Sequence, residues 1–224
     1  ILSKRIARLA GISGDIDDKG DTEKLLIQRA RLIATAAGKE EELCKIISKN
    51  KNFKNVLFYC GDGSVERDDG DMTKHVDAVV RLLSLRYKAR VAKFTSENTM
   101  EEREDLLNSF AREDLQGLVA IRCLDEGVDV PSTQTAIILA SSTNPRQFIQ
   151  RRGRILRNSP GKTHADIYDM VVHPPESENI NEAERNLVKK ELVRLSEFAS
   201  LASNAPEAKK TIWKLQEHYH LTDI

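Results

Sequence analysis

The sequence predicts an α/β fold, a parallel sheet flanked by helices, with helical extensions on its N-terminal and C-terminal sides. Three observations predict it. Five short apolar runs (Val56 to Cys60, Ala89 to Phe94, Leu118 to Ile121, Thr135 to Ala140 and Ala165 to Val172) are mostly continuous, as in strands buried on both faces of a parallel sheet. Amphipathic stripes of helical period separate several of these runs. Residues before 51 and after 173 carry helical patterns alone.

Residues 1–50 read as a helical connector. Leu25, Leu26, Arg29, Leu32, Ile33 and Ala36 keep a 3.6-residue period, and Leu43, Ile46 and Ile47 resume it after Gly38. Gly14 to Asp21 is an acidic loop; within it Asp15 to Gly20 resembles the start of a calcium loop, but Lys19 and Leu26 occupy the fifth and twelfth positions, which need oxygen ligands, so an exposed turn is expected. Residues 51–173 hold the five strands. Within them Met72, Val76, Val79, Val80 and Leu83 form one helical stripe, and the acidic stretch Asp62 to Asp71 is expected to be solvated. Thr99-Met100-Glu101-Glu102 is a capping box that opens a helix through Leu106, Leu107 and Phe110. Asn144-Pro145-Arg146-Gln147 opens another, with Asn at the N-cap and Pro at the first helical position. Residues 174–224 form the C-terminal extension. There Val188, Leu192, Leu195, Ala199 and Ala202 make a stripe, and a last helix runs from Pro206 past Trp213.

Composition narrows the function classes. Thirty-five basic and 35 acidic side chains cancel, so a nucleic-acid site has to be a local patch and not a global basic field. Cys44, Cys60 and Cys123 are odd in number and far apart, which suits reduced thiols in a cytoplasmic protein and offers no zinc spacing. No apolar run approaches the roughly 20 residues of a membrane span. The chain opens on Ile1 inside a helical pattern, as expected of a piece of a longer protein.

Two segments carry chemistry. In Gln147-Phe148-Ile149-Gln150-Arg151-Arg152-Gly153-Arg154-Ile155-Leu156-Arg157, Arg154 and Arg157 are spaced to project from one helical face. Guanidinium is always charged and forks onto phosphate oxygens, so such a pair suits a polyphosphate; a solvated basic helix end has the same pattern. Upstream, Leu118-Val119-Ala120-Ile121-Arg122-Cys123-Leu124-Asp125-Glu126-Gly127-Val128-Asp129-Val130-Pro131 reads as a strand, an acidic turn at Gly127, then Asp129 and a proline.

Taken in order, the strand, the EGVDVP turn, the apolar strand from Ala136 to Ala140 and QRRGRxxR resemble motifs V and VI of superfamily 2 helicases and translocases. The resemblance covers residues 53–173 and implies the second RecA-like lobe of the motor. LDEGVDVP and SSTNPRQFIQRRGRILR are most similar to the DNA translocase subunits of restriction and related phage-defence systems. By this resemblance Arg157 is the arginine finger toward ATP, Arg154 its partner, and Gln150 the polar residue that links nucleotide state to the facing lobe. Gly127 and Asp129 match the motif V positions near the nucleotide. Arg103 resembles the arginine of motif IVa on the nucleic-acid backbone, and Thr95 and Ser96 end a strand where hydroxyls meet phosphate. Gly61 follows the motif IV strand. Ile121 stands where the family often has a phosphate-binding threonine, which leaves Arg122 as the neighbouring candidate.

Gly161-Lys162-Thr163 mimics the end of a phosphate-binding loop, but Leu156 occupies the position of its first glycine. The 224 residues contain neither that loop nor an acidic magnesium box. The resemblance therefore implies that ATP and Mg2+ are bound mainly by an upstream RecA-like lobe of the same polypeptide, which closes on this one. The partners it implies are DNA, double-stranded or single-stranded, and nuclease or modification subunits, with no membrane. An RNA helicase lobe of the same superfamily, or a non-catalytic RecA-like DNA-binding module, are the rival readings.

Overall fold

The computed structural model describes residues 30–36, 38–50, 53–66, 70–121, 130, 132–141, 153, 155, 157, 162–174, 180 and 182–221. The chain divides into two compact units, residues 33–170 and residues 1–32 with 171–224.

The first unit is built on a five-stranded, all-parallel sheet. Its elements are α1 (Gly38–Lys49), β1 (Val56–Tyr59), β2 (Ser64–Glu66), β3 (Met72–Lys74), α2 (His75–Tyr87), β4 (Val91–Phe94), α3 (Met100–Ala111), β5 (Gly117–Ala120), β6 (Thr135–Ile138) and β7 (Asp166–Asp169). The strand order is β4-β5-β1-β6-β7. All five predicted strands form; four are shorter than their apolar runs by one residue or more, and β5 keeps the predicted length but starts one residue earlier, at Gly117. The central strands are the continuous hydrophobic ones: every residue of β1 and β5 is buried, whereas edge strand β7 alternates between exposed and half-buried.

Register explains how the two faces are filled. Phe58, Val119 and Ile137 are cross-strand partners and join Leu43 and Ile47 of α1 and Val76, Val79 and Leu83 of α2 in one core cluster. Leu57, Leu118 and Ala136, one residue earlier, point to the opposite face and are equally buried. Gly117 is required in this packing, because a Cβ there would stand 2.7 Å from the Phe58 ring and 2.9 Å from the Val56 carbonyl.

One expectation is corrected. Met72 does not belong to the helical stripe; it lies in β3 and is 65% exposed. β2 and β3 pair as an antiparallel hairpin, with Val65 opposite Thr73 and Glu66 opposite Met72, so α2 begins only at His75. The stretch expected to be plain solvated loop thus contains a strand. Each strand has three mostly polar residues, too few to print a period of two on the sequence.

In the second unit α4 (Glu182–Leu201) and α5 (Ala205–His218) pack together. Val188, Leu192, Ala199, Ile212, Tyr219 and Leu221 form the cluster between them, as the stripe predicts for α4. The Tyr219 hydroxyl donates to the Pro174 carbonyl at 2.9 Å, which ties the chain after α5 to its own unit. Glu191 and Arg194 pair at 2.8 Å while both are nearly buried. Among the described residues, no helix is long and apolar enough to cross a membrane.

Candidate functional site

Because all five strands run parallel, their carboxyl ends share one edge: Gly61 after β1, Thr95 and Ser96 after β4, Ile121 after β5, and Leu139 to Ser141 after β6. β5 and β6 lie on opposite sides of β1, so the strand order switches direction there. In an open α/β sheet this is where a ligand crevice forms.

At the end of β1, Gly61 is buried against its neighbours. A Cβ on it would come within 2.4 Å of the Ala34 Cβ and 3.2 Å of the Ala140 Cβ, so only glycine fits. Its N–H donates to His75 Nδ1 at 3.2 Å, and the His75 N–H donates to the Gly63 carbonyl at 2.9 Å. His75 is 1% exposed. Burial, and then the nearby Lys39 ammonium, pushes its imidazole down to about 4, so it is neutral. With Nδ1 accepting, the proton resides on Nε2. Lys39, itself buried, donates to the Leu139 carbonyl beyond β6. Burial also raises the Cys60 thiol far above its ordinary value, so no thiolate is offered here. Sequence reasoning missed Lys39 and His75.

At the end of β4 the loop is held by local hydrogen bonds. The Thr95 N–H donates to Asn98 Oδ1 at 2.8 Å, and the Thr95 hydroxyl, 5% exposed with its residue, accepts from the Glu97 N–H at 3.3 Å. Ser96 is exposed. The predicted capping box is present in full: Thr99 Oγ1 accepts from the Glu102 N–H, and the Glu102 carboxylate accepts from the Thr99 N–H. Arg103, in the first turn of α3, donates from Nη2 to the Thr95 carbonyl at 3.2 Å and lies 5.9 Å from the Phe94 ring centroid. Its Nε is buried without a hydrogen-bond partner.

Two further cations border this loop. Lys74 at the end of the hairpin pairs with Glu97 at 2.6 Å, and Lys93 pairs with Asp77 at 3.2 Å and Glu97 at 3.4 Å. The hydrogen bond from Lys74 first, then that charge and Lys93, lowers the Glu97 carboxyl; the hydrogen bond to Asp77 leads in raising Lys93. Hairpin, α2 and the β4 loop are thereby joined at their charged tips. The sequence signal for Lys74 was hidden with the hairpin.

Of the arginine segment, Gly153, Ile155 and Arg157 are described. Gly153 and Ile155 are helical, Ile155 is 1% exposed, and Arg157 is exposed beyond that turn. The Lys162 ammonium donates to the carbonyls of Ile155 and Arg157, the latter at 3.0 Å, and burial lowers its pKa. Lys162 therefore closes a helix end, consistent with rejecting Gly161-Lys162-Thr163 as a phosphate loop. Arg122, Gly127, Asp129, Gln150 and Arg154 lie outside the described residues. Among the described residues, no group of three or more His, Cys, Asp or Glu side chains could hold a metal ion.

An open parallel sheet with its switch point at the central strand and helices packed on it is the α/β architecture of a RecA-like lobe. Residues 38–159 match the helicase conserved C-terminal domain, and the chain belongs to that family, as the C-terminal RecA-like lobe of a superfamily 2 helicase or translocase. It is 30% identical over 142 residues to the DNA 3'-5' translocase XPB2 of Sulfurisphaera tokodaii, which covers 62% of this chain and 28% of that protein. It is 25% identical over 152 residues to the putative ATP-dependent RNA helicase MJ1505 of Methanocaldococcus jannaschii, covering 67% of this chain and 19% of that one. The chain thus spans under a third of the length of these relatives. Among solved structures, the C-terminal domain of the DEAD-box protein Dbp5 is similar with a TM-score of 0.49 at 15% identity, over 81% of this chain and 93% of that one.

Proposed function

We propose that this lobe serves an ATP-dependent DNA helicase or translocase of restriction or DNA-repair type, and that it supplies positive charge to a triphosphate held mainly by an upstream lobe of the same polypeptide. Arg157 is the arginine finger and Arg154 its partner, while Gln150 senses the facing lobe. Gly127 lets the backbone approach the nucleotide and Asp129 accepts from a ribose hydroxyl. The observation that carries the reading is Arg157. Buried Ile155 fixes the turn before it and Lys162 clamps its carbonyl, while the guanidinium-bearing residue is left exposed. A backbone so anchored fixes the point from which the guanidinium reaches toward a substrate, which suits electrostatic stabilisation of phosphoryl transfer.

Mg2+, where bound, neutralises the β- and γ-phosphate oxygens. The carboxylates that hold it belong to the upstream lobe. The nucleic-acid track runs along the β4 loop, where the exposed Ser96 hydroxyl and Arg103 face phosphates. Gly61 and Thr95 shape the backbone beneath, and Arg122 continues the track after β5.

In the full-length protein, Arg157→Ala is expected to lower kcat for ATP by roughly 10³-fold or more, about 4 kcal/mol, with DNA binding retained. Near wild-type turnover in that variant would remove Arg157 from the site. The relative named as an RNA helicase favours an RNA track as the second reading. Stimulation of the ATPase by RNA and not by DNA would select it, and absence of any ATPase would select the non-catalytic module.

A further inference from the structure

The only tryptophan of the chain, Trp213, is 62% exposed on α5. The helix has an adequate buried face without it: Ile212 is 3% exposed, and Ala208 and Leu215 pack against the same cluster. The indole thus lies outside the described core of this unit, and its neighbours three and four residues away along the helix, Lys209, Lys210, Gln216 and Glu217, are all polar. Lys209 and Lys210 precede it by four and three residues, so they lie on the turn over which a helical side chain leans, and Lys214 follows it directly. Glu217, four residues on, is the one carboxylate adjoining Trp213 along the helix. Among the described residues, Lys209, Lys210, Lys214 and Trp213 take part in no ion pair or side-chain hydrogen bond.

We infer that Trp213, with Lys209, Lys210 and Lys214, is a stacking site for a base of single-stranded nucleic acid on the helical unit. An exposed indole with Lys209 and Lys210 on the turn before it, and Lys214 next along the chain, suits a ligand that alternates phosphate and flat base. A protein hot spot needs an apolar or well-packed rim to exclude water, and the helical neighbours of Trp213 are polar instead. The strand must be single, because only an unpaired base offers its face to the ring. The inference takes its ligand class from the nucleic-acid reading above but none of its residues.

The chain carries its own probe, since all tryptophan fluorescence comes from this site. A fluorescein-labelled thymidine oligonucleotide is titrated into the full chain, with anisotropy and tryptophan emission followed together, and an abasic strand of equal length as control. The expected result is that emission is quenched in step with the anisotropy change, and that the abasic strand binds without quenching. Trp213→Ala should weaken thymidine binding about 5- to 150-fold, toward the abasic value, the span of one lost stacking contact. Trp213→Phe should recover part of it. Lys210→Ala with Lys214→Ala should flatten the salt dependence for both strands.

Binding by anisotropy with unchanged emission and an unaffected Trp213→Ala variant would overturn this site while leaving the motor reading intact. No binding of either strand would also overturn it, and the Arg157→Ala ATPase measurement then judges the motor reading separately. A shift in emission that follows protein concentration and not oligonucleotide would assign the face to a second copy of the chain instead.

Discussion

His75 shows what one buried side chain does at this sheet edge. Its imidazole accepts from the Gly61 N–H and is sealed from water, with the Lys39 ammonium close enough to oppose a second positive charge. Protonation would remove the acceptor and leave a buried cation, so the folded protein holds this group near 4 against 6.5 for an unconstrained imidazole. The sign follows from proton counting. Between those values the unfolded chain binds more protons, so stability from this group is full above about 6.5 and is lost as pH falls toward 4. The gap corresponds to about 3 kcal/mol at most. Urea unfolding at a series of pH values should show this decline in the wild type and a flatter one in His75→Gln, whose amide oxygen can still accept from Gly61. Equal slopes in the two proteins would mean that His75 is not the group responsible. Neither Lys39 nor His75 was legible in the sequence. Lys39 reaches Leu139 across 100 positions, and such a contact leaves no local pattern.

At the scale of elements, what was legible was what local chemistry decides. The Thr99 capping box formed as read, because both of its hydrogen bonds close within four residues. The central strands were visible because burial on both faces leaves an unbroken apolar run; β1 was read one residue too long because buried Cys60 continues the run, and β5 one residue late because Gly117 does not announce a strand. The hairpin was invisible: it is short and mostly polar, and it is held by the His75 N–H and by the Lys74–Glu97 pair. Helix α2 carries another feature with a consequence. It ends at Lys88 in the left-handed region, with φ 54° and ψ 28°, while the Lys88 N–H bonds to the Leu83 carbonyl. A side chain with a Cβ costs about 1–2 kcal/mol in that conformation, which glycine avoids at some expense in chain entropy. Lys88 is exposed and is no part of the core cluster that α2 packs into. Lys88→Gly should therefore stabilise the protein by about 0.5–1 kcal/mol, seen as a melting temperature higher by ~1–4 °C. A lower melting temperature would show that the lysine side chain is needed at this cap.

At the scale of the whole molecule, the distribution of charge limits what the lobe can do alone. Basic and acidic residues balance at 35 each, so no long-range field gathers an anion; the cations act only where the fold holds them. Arg157 is held by its backbone, and an arginine can stabilise charge that develops in a transition state, but it cannot cradle three phosphates by itself or supply a magnesium carboxylate. The sequence contains no phosphate-binding loop and no acidic magnesium box, and Lys162, its nearest imitation of the loop lysine, is occupied with the carbonyls of Ile155 and Arg157. The 224-residue chain should thus release phosphate from ATP at the rate of buffer with Mg2+, with or without DNA. A phosphate-release assay at high protein concentration measures this directly. Turnover that disappears in Arg157→Ala would place a complete hydrolytic site within this chain and end the division of labour proposed for its two lobes. Restoration of activity by a separately produced upstream lobe, again dependent on Arg157, is the outcome that division predicts.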